Sequence, residues 1–226
     1  MAYFPVFLDI TFRFCLVAGA GRVGLRKIKT LSACGVGGII VLDPSPDMEG
    51  ILAASAEAQA RPRILREYFA PKHLQGVSLV FACTPEKEEN ARIARICTEH
   101  RVFCNVATCD GGDMILPALL TRGELQIAVS TAGASPALSR RVREKLDREF
   151  GEEYALLASL LRFVRGPVCS LGLEQEKNAA IFRRLTEEDV LEALRNKDRQ
   201  GLFGILENVL PDELGPEIGE MVHALV

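Results

Sequence analysis

One junction near the N-terminus constrains this chain more than any other feature. Residues 14–18, FCLVA, form a short unbroken apolar run of the kind a buried parallel strand needs. Gly19-Ala20-Gly21-Arg22-Val23-Gly24 follows at once, and residues 22–34 then repeat apolar positions at helical spacing. On that helix Val23, Ile28, Leu31 and Ala33–Cys34 share a face, with Arg26, Lys27 and Lys29 elsewhere. A second strand, 38–42 (GIIVL), ends at Asp43-Pro44. Further strand runs lie at 63–67, 77–83 and 102–106, with an amphipathic helix over 86–100 between the last two. Repeated βα units of this length predict a parallel sheet with helices on both faces, the α/β Rossmann-like class.

The glycine spacing fits G-x-G-x-x-G, and its place between strand and helix turns a common string into a specific one. Gly19 allows the tight turn, Gly21 leaves room for a pyrophosphate, and Gly24 lets helix and strand approach closely. The free N–H groups and positive dipole end of the helix then face the phosphates. Asp43 stands at the tip of the second strand, where a carboxylate accepts hydrogen bonds from the adenosine ribose hydroxyls and repels a 2′-phosphate. The pattern therefore predicts NAD rather than NADP. Thr84 after the fourth strand, and Asn105 and Val106 at the end of the fifth, fall on the same carboxyl edge of the sheet, where doubly wound folds bind ligands. Either they contact the cofactor or they are ordinary turn residues.

Past residue 110 the character changes. CDGGDM is a turn-rich break, and LPALLTRGELQIAVST reads as strand-turn-strand, serving as an intrachain hairpin or as a dimer element. Ser135-Pro136 starts a helix, Ser as N-cap and Pro at the first helical position. From Gly151 the chain reads as helical, with turns expected at Gly166-Pro167, Gly172 and Pro211 and a cap at Thr186-Glu187-Glu188-Asp189. This predicts a Rossmann domain over 1–112, a central segment over 113–150 and a helical domain over 151–226. The net charge of −3 argues against general nucleic-acid binding, but it is unevenly spread. Residues 1–150 hold 19 Lys/Arg against 16 Asp/Glu, whereas 151–226 hold 8 against 14. The seven cysteines include no C-x-x-C pair and sit mostly in apolar runs, and the three histidines lack ligand spacing. Reduced buried thiols and no metal site are expected. With no signal-peptide pattern and no apolar run of about 18 residues, the expectation is a cytoplasmic protein without membrane spans.

The strings YFPVFLDI, VAGAGRVGLRKIKTL, FACTPEKEENARIA, FCNVA and ILPALLTRGELQIAVSTAGASPALSRRVREKL resemble the precorrin-2 dehydrogenase family, which also forms the N-terminal module of siroheme synthase. The resemblance runs over about residues 3–149. Its most specific part is Pro117–Leu146, outside the generic Rossmann pattern. It implies NAD-dependent oxidation of precorrin-2 to sirohydrochlorin, ferrous-iron insertion in some members, and a homodimer built through the central segment. It matches Arg22-Val23 and Asp43-Pro44 to NAD contacts, beside Gly19, Ala20 and Gly21, and Thr84, Asn105 and Val106 to others in the cleft. The substrate is a polycarboxylate, so Ser135 at the helix start and Arg140 and Arg141 on that helix are expected to bind it, with Arg122 and Arg143 nearby. The same arginines can instead pair with Glu144, Asp147 and Glu149.

Where the resemblance expects an aspartate as base and chelation aid, this chain has Thr108, and the segment to Pro117 is one residue short. Asp110 is the nearest carboxylate and the candidate base, with Asp113 next. Gly111-Gly112 suits Asp110 equally well as a turn residue. The departure bears on iron insertion, which must strip pyrrole protons, more than on hydride transfer. Three other readings stand beside the dehydrogenase. They are a bifunctional dehydrogenase and ferrochelatase, a non-catalytic NAD-sensing module that kept the fold, and a Rossmann oxidoreductase with another small substrate.

Overall fold

The computed structural model describes residues 3–58, 61–107 and 111–225, which fall into two compact units, Met1–Leu116 and Pro117–Val226. The first unit carries five parallel strands: β1 (Phe14–Ala18), β2 (Gly38–Leu42), β3 (Arg63–Leu65), β4 (Val77–Ala82) and β5 (Phe103–Val106). Their order is β3-β2-β1-β4-β5. The chain winds outward from β1 in one direction, then returns to start the other half at β4. That reversal makes the β1/β4 junction a topological switch point, where the carboxyl ends of the strands open a crevice. The strands are apolar on both faces because both are covered. One face packs Leu16, Ala18, Val80 and Ala82 with Ile93, Ala94 and Cys97 of α3 (Lys87–Glu99). The other packs Cys15, Val17, Phe81 and Cys83 with Ile28 and Leu31 of α1 (Arg22–Ala33) and Ile51 of α2 (Met48–Ala54).

Several boundaries differ from the sequence expectation for identifiable reasons. β3 stops at Leu65 rather than 67, because its partner β2 ends where Asp43 N–H donates to the Leu65 carbonyl and Pro44 has no N–H to continue. Helix α2 has no long apolar period; Asp47 starts it by accepting from Gly50 N at 3.0 Å. On α1 the buried stripe is Gly24, Ile28, Leu31 and Ser32, while Ala33 and Cys34 are exposed. The helical phase of that stripe includes Lys27, three residues after Gly24 and four before Leu31.

In the second unit β6 (Ala118–Arg122) and β7 (Leu125–Val129) form an intrachain antiparallel hairpin. Gly123, with φ +55°, supplies the left-handed residue that a two-residue hairpin loop takes at its first position. α4 (Pro136–Glu149) follows, then α5 (Glu153–Ser170), α6 (Gln175–Arg184), α7 (Glu188–Arg195), α8 (Arg199–Val209) and α9 (Gly215–Leu225). Their core is Leu160, Val164, Val168, Leu185, Val190, Leu202, Leu206 and Ile218. The turn expected at Gly166-Pro167 is absent; α5 runs through it. Leu157, Leu160, Val164 and Val168 keep one buried helical stripe across the proline, so packing outweighs one lost backbone bond. The helix ends instead at Gly172, φ +66°. Thr186 does not cap α7: its hydroxyl donates back to the Arg183 carbonyl at 2.7 Å, and Glu187 holds the N-cap position with no side-chain capping bond.

Among the described residues no helix is long and apolar enough to cross a membrane, and no cluster of His, Cys, Asp and Glu has the makings of a metal site. Cys15, Cys83, Cys97 and Cys104 are buried free thiols, while Cys34 and Cys169 are free and exposed.

Candidate active site

The crevice at the switch point is built from four strand ends, those of β1, β2, β4 and β5. Leaving β1, Gly19 adopts φ +91°, a conformation that a side chain resists, and a Cβ there would sit 2.7 Å from the Cys83 carbonyl oxygen. Gly24 is packed harder still, since its Cβ would collide with the Gly19 carbonyl. By contrast a Cβ on Gly21 would meet nothing within 4 Å. The two outer glycines are therefore demanded by packing, and the middle one faces open space. Gly21 is the N-cap of α1, with no side-chain capping bond and no acidic residue in the first turn. The helix opens with N–H groups uncapped and its positive end unneutralised, the arrangement that receives phosphate. Arg22 is exposed beside it and Val23 half-buried.

Asp43 holds this loop in shape. Its Oδ2 accepts from the buried Ala20 N–H at 2.7 Å, and its Oδ1 accepts from Ser45 N–H at 2.8 Å. A carboxylate has about four lone-pair sites, so two backbone bonds leave capacity for ribose hydroxyls. Pro44 is exposed next to it. The loop after β4 is pinned by a residue that sequence reading did not single out. Asn90, fully buried on α3, accepts from Thr84 N–H at 3.0 Å and from the Thr84 hydroxyl at 2.9 Å, and donates to the Thr84 carbonyl at 2.9 Å. Its phase was visible: Asn90 lies three, four and seven residues before Ile93, Ala94 and Cys97, on the buried stripe of α3. Thr84 is half-buried at the crevice, its hydroxyl already bonded.

At the end of β5, Asn105 donates through Nδ2 to the Met114 carbonyl at 2.9 Å, while its Oδ1 is buried and accepts nothing from the described residues. Val106 is half-buried beyond it. Asp113 is committed elsewhere, accepting from Cys104 N–H at 2.7 Å, and Gly112 lies so close to the Cys104 carbonyl that no side chain fits. Asp113 thus straps the 111–114 segment to the sheet edge. Asp110, the candidate base, and Thr108 lie outside the described residues. Burial pushes the Cys15 thiol up to about 12 and the Cys83 thiol up to about 11, so neither is a thiolate nucleophile near neutral pH.

In the second unit, the Ser135 hydroxyl caps α4 by accepting from Leu138 N–H at 3.2 Å, and Ser135 N–H donates to the Thr131 hydroxyl at 3.0 Å. The preceding turn holds Ala132 at φ +52° and Gly133 at φ +88°. Arg140 pairs with Glu144 at 2.9 Å on the exposed face. Arg122 pairs with Asp147 at 2.7 Å and donates to the Phe150 carbonyl at 2.9 Å, tying the hairpin to the end of α4. Arg143 reaches Asp147 only at 4.0 Å. Arg141 is exposed and makes no ion pair with the described residues.

Comparison with known proteins places this geometry. A family model described as "Putative NAD(P)-binding" matches residues 6–118, and one described as "Sirohaem biosynthesis protein central" matches residues 122–149. The chain belongs to the precorrin-2 dehydrogenase family. It is 32% identical to the siroheme synthase of Nitrosomonas eutropha over 98% of its own length and 46% of that protein's. It is 30% identical to the siroheme synthase of Methylobacillus flagellatus over 86% of its length and 40% of that protein's. The chain therefore spans about half the length of the curated relatives it matches. A solved structure described as "SirC, precorrin-2 dehydrogenase" superposes with a TM-score of 0.71 at 25% identity, covering 91% of this chain and 100% of that one. The α/β fold and the NAD(P)-binding character of the first unit agree with the sequence expectation.

Proposed function

We propose that this chain is an NAD-dependent dehydrogenase that oxidises precorrin-2 to sirohydrochlorin in the cytoplasm. One observation carries the reading. An uncapped helix start, an open middle glycine and a strand-tip carboxylate meet at the sheet's switch point, in a chain similar nearly end to end to a precorrin-2 dehydrogenase. Gly19, Ala20, Gly21, Arg22 and Val23 form the pyrophosphate side of the cofactor site. Asp43 and Pro44 form its ribose side, and Thr84, Asn105 and Val106 line its far edge. Bound NAD⁺ supplies the hydride acceptor. A carboxylate side chain at position 43, where a 2′-phosphate would sit, favours NAD over NADP. Ser135, Arg140 and Arg141 bind substrate carboxylates; Arg141 is free of ion pairs among the described residues and so costs nothing to recruit, whereas Arg140 first gives up Glu144. Asp110 takes the proton lost as hydride leaves.

The protein acts as a homodimer. Among the described residues the hairpin is only two strands wide with no further strand on either edge, and Leu119 and Leu138 are exposed on β6 and α4. Thr108 in place of an acid supports weak or absent iron insertion. Steady-state turnover of precorrin-2 with NAD⁺ and with NADP⁺, then ferrous or cobaltous ion added to the finished reaction, tests these assignments. NAD⁺ preference and little metal incorporation are expected; NADP⁺ preference removes Asp43 from the ribose role, and rapid metal incorporation overturns the single-activity assignment.

A further inference from the structure

Lys27 is placed where a solvated lysine does not belong. It stands on the buried phase of α1, half-buried, and forms no hydrogen bond or ion pair with the described residues. Burial holds its ammonium below the usual lysine range, while the Cys83 sulfur, at the carboxyl end of β4, is near enough to feel its charge. Among the described residues the charged group acting on it is Arg26, of like sign. Desolvating a cation without a counter-ion is costly, and a carboxylate brought beside it restores the charged form. An exposed rotamer would avoid that cost, so the position is informative about what else belongs there.

A second unfilled group lies on the same face of the sheet. Phe81 of β4 pairs in register with Asn105 of β5. Phe81 and Cys83 pack on the α1 side, and Cys104, the neighbour of Asn105, packs on the α3 side. Alternation along a strand therefore turns Asn105 to the face that carries Lys27. Asn105 is 7% exposed, and its Oδ1 is a buried acceptor with no donor among the described residues. A buried amide oxygen left unpaired costs about 1–3 kcal/mol. The face of the sheet that carries Lys27 thus also carries a buried amide oxygen that has no partner among the described residues.

We propose that Lys27 anchors a carboxylate of the tetrapyrrole substrate, on the face of the sheet where Asn105 lines the cofactor site. This rests on the dehydrogenase reading. A polycarboxylated macrocycle carries carboxylates around its rim, and one of them supplies the counter-charge that Lys27 lacks among the described residues. Lys27 is a substrate-positioning residue on the Rossmann unit, distinct from the arginines of α4.

The test is equilibrium binding of sirohydrochlorin, followed by absorbance or intrinsic fluorescence, to full-length wild type, Lys27→Met and Lys27→Arg, with NAD⁺ affinity measured on each. Methionine preserves the apolar stem, and thermal melting checks that each variant is folded. Loss of one charge-assisted bond predicts roughly tenfold weaker sirohydrochlorin binding in Lys27→Met, with flatter salt dependence. NAD⁺ affinity should stay within about twofold, and Lys27→Arg should recover most of the loss. Unchanged sirohydrochlorin binding in folded Lys27→Met overturns the anchor alone. Weakened NAD⁺ binding instead overturns it by moving Lys27 into the dinucleotide site. Wild type that binds no sirohydrochlorin overturns the dehydrogenase reading and the anchor with it.

Discussion

At the scale of single residues, Asp43 joins two functions in one carboxylate. It shapes the glycine loop through Ala20 N–H and, on the proposed reading, selects the cofactor. The two separate by substitution. Asp43→Asn keeps an acceptor for Ala20 while removing the charge; Asp43→Ala removes both. Calorimetric titration should show NAD⁺ binding weakened about tenfold or more in Asp43→Ala, by the loss of bonds to a charged group. Both variants should discriminate less against NADP⁺, and unchanged NADP⁺ rejection in both would take Asp43 out of cofactor selection. Asn90 tests the other wall. Asn90→Ala strands Thr84 N–H in a partly buried loop and should cost about 1–3 kcal/mol in chemical unfolding. The glycines and Asp43 were legible because their backbone demands are written in residue type. Asn90 and Lys27 were harder to see, because a polar residue on an amphipathic helix reads as solvated unless its phase is compared with the apolar stripe. Asp113, the next carboxylate after the candidate base Asp110, already accepts from the Cys104 N–H, an engagement that residue type alone does not reveal.

Among elements, the five parallel strands and the helices between them were legible because buried parallel strands are continuous apolar runs and their helices keep a 3.6 period. Elements set by tertiary context were not. α2 rests on a cap and a single buried isoleucine, and α5 passes through Gly166-Pro167 because the stripe from Leu157 to Val168 stays packed on both sides of it. Ser135 shows the opposite case, a local signal that the structure honours. Its hydroxyl caps the helix, while its backbone N–H and carbonyl join the Thr131 and Ser139 hydroxyls in a small network that fixes the turn before α4. Ser135→Ala should lower stability by about 1 kcal/mol, whereas Ser135→Asp, which can still cap, should lose less. Thermal and denaturant unfolding distinguish them, and equal losses would show that an aspartate does not restore the cap at this turn.

For the whole molecule, the charge split follows the architecture. The slightly basic part of the sequence contains the dinucleotide crevice and α4, and the acidic part contains the helices after α4, whose core is apolar and self-contained. A net charge of −3 for the chain conceals local cations that a polyanionic ligand needs. The homodimer proposal belongs to this scale too. Sedimentation at micromolar concentration should give twice the mass of the 24.7 kDa chain, and Leu138→Glu should shift the population toward monomer. A wild-type monomer would leave the hairpin and α4 as an ordinary surface.

The most direct test of the account is a stoichiometric one. Purified protein is incubated with precorrin-2 and NAD⁺ while NADH and sirohydrochlorin are followed together by absorbance. The account predicts that both appear at the same rate and in equal amounts, and that omission of NAD⁺ abolishes both. A protein that binds NAD⁺ tightly yet forms neither product would contradict it and leave a cofactor-sensing module on the same fold.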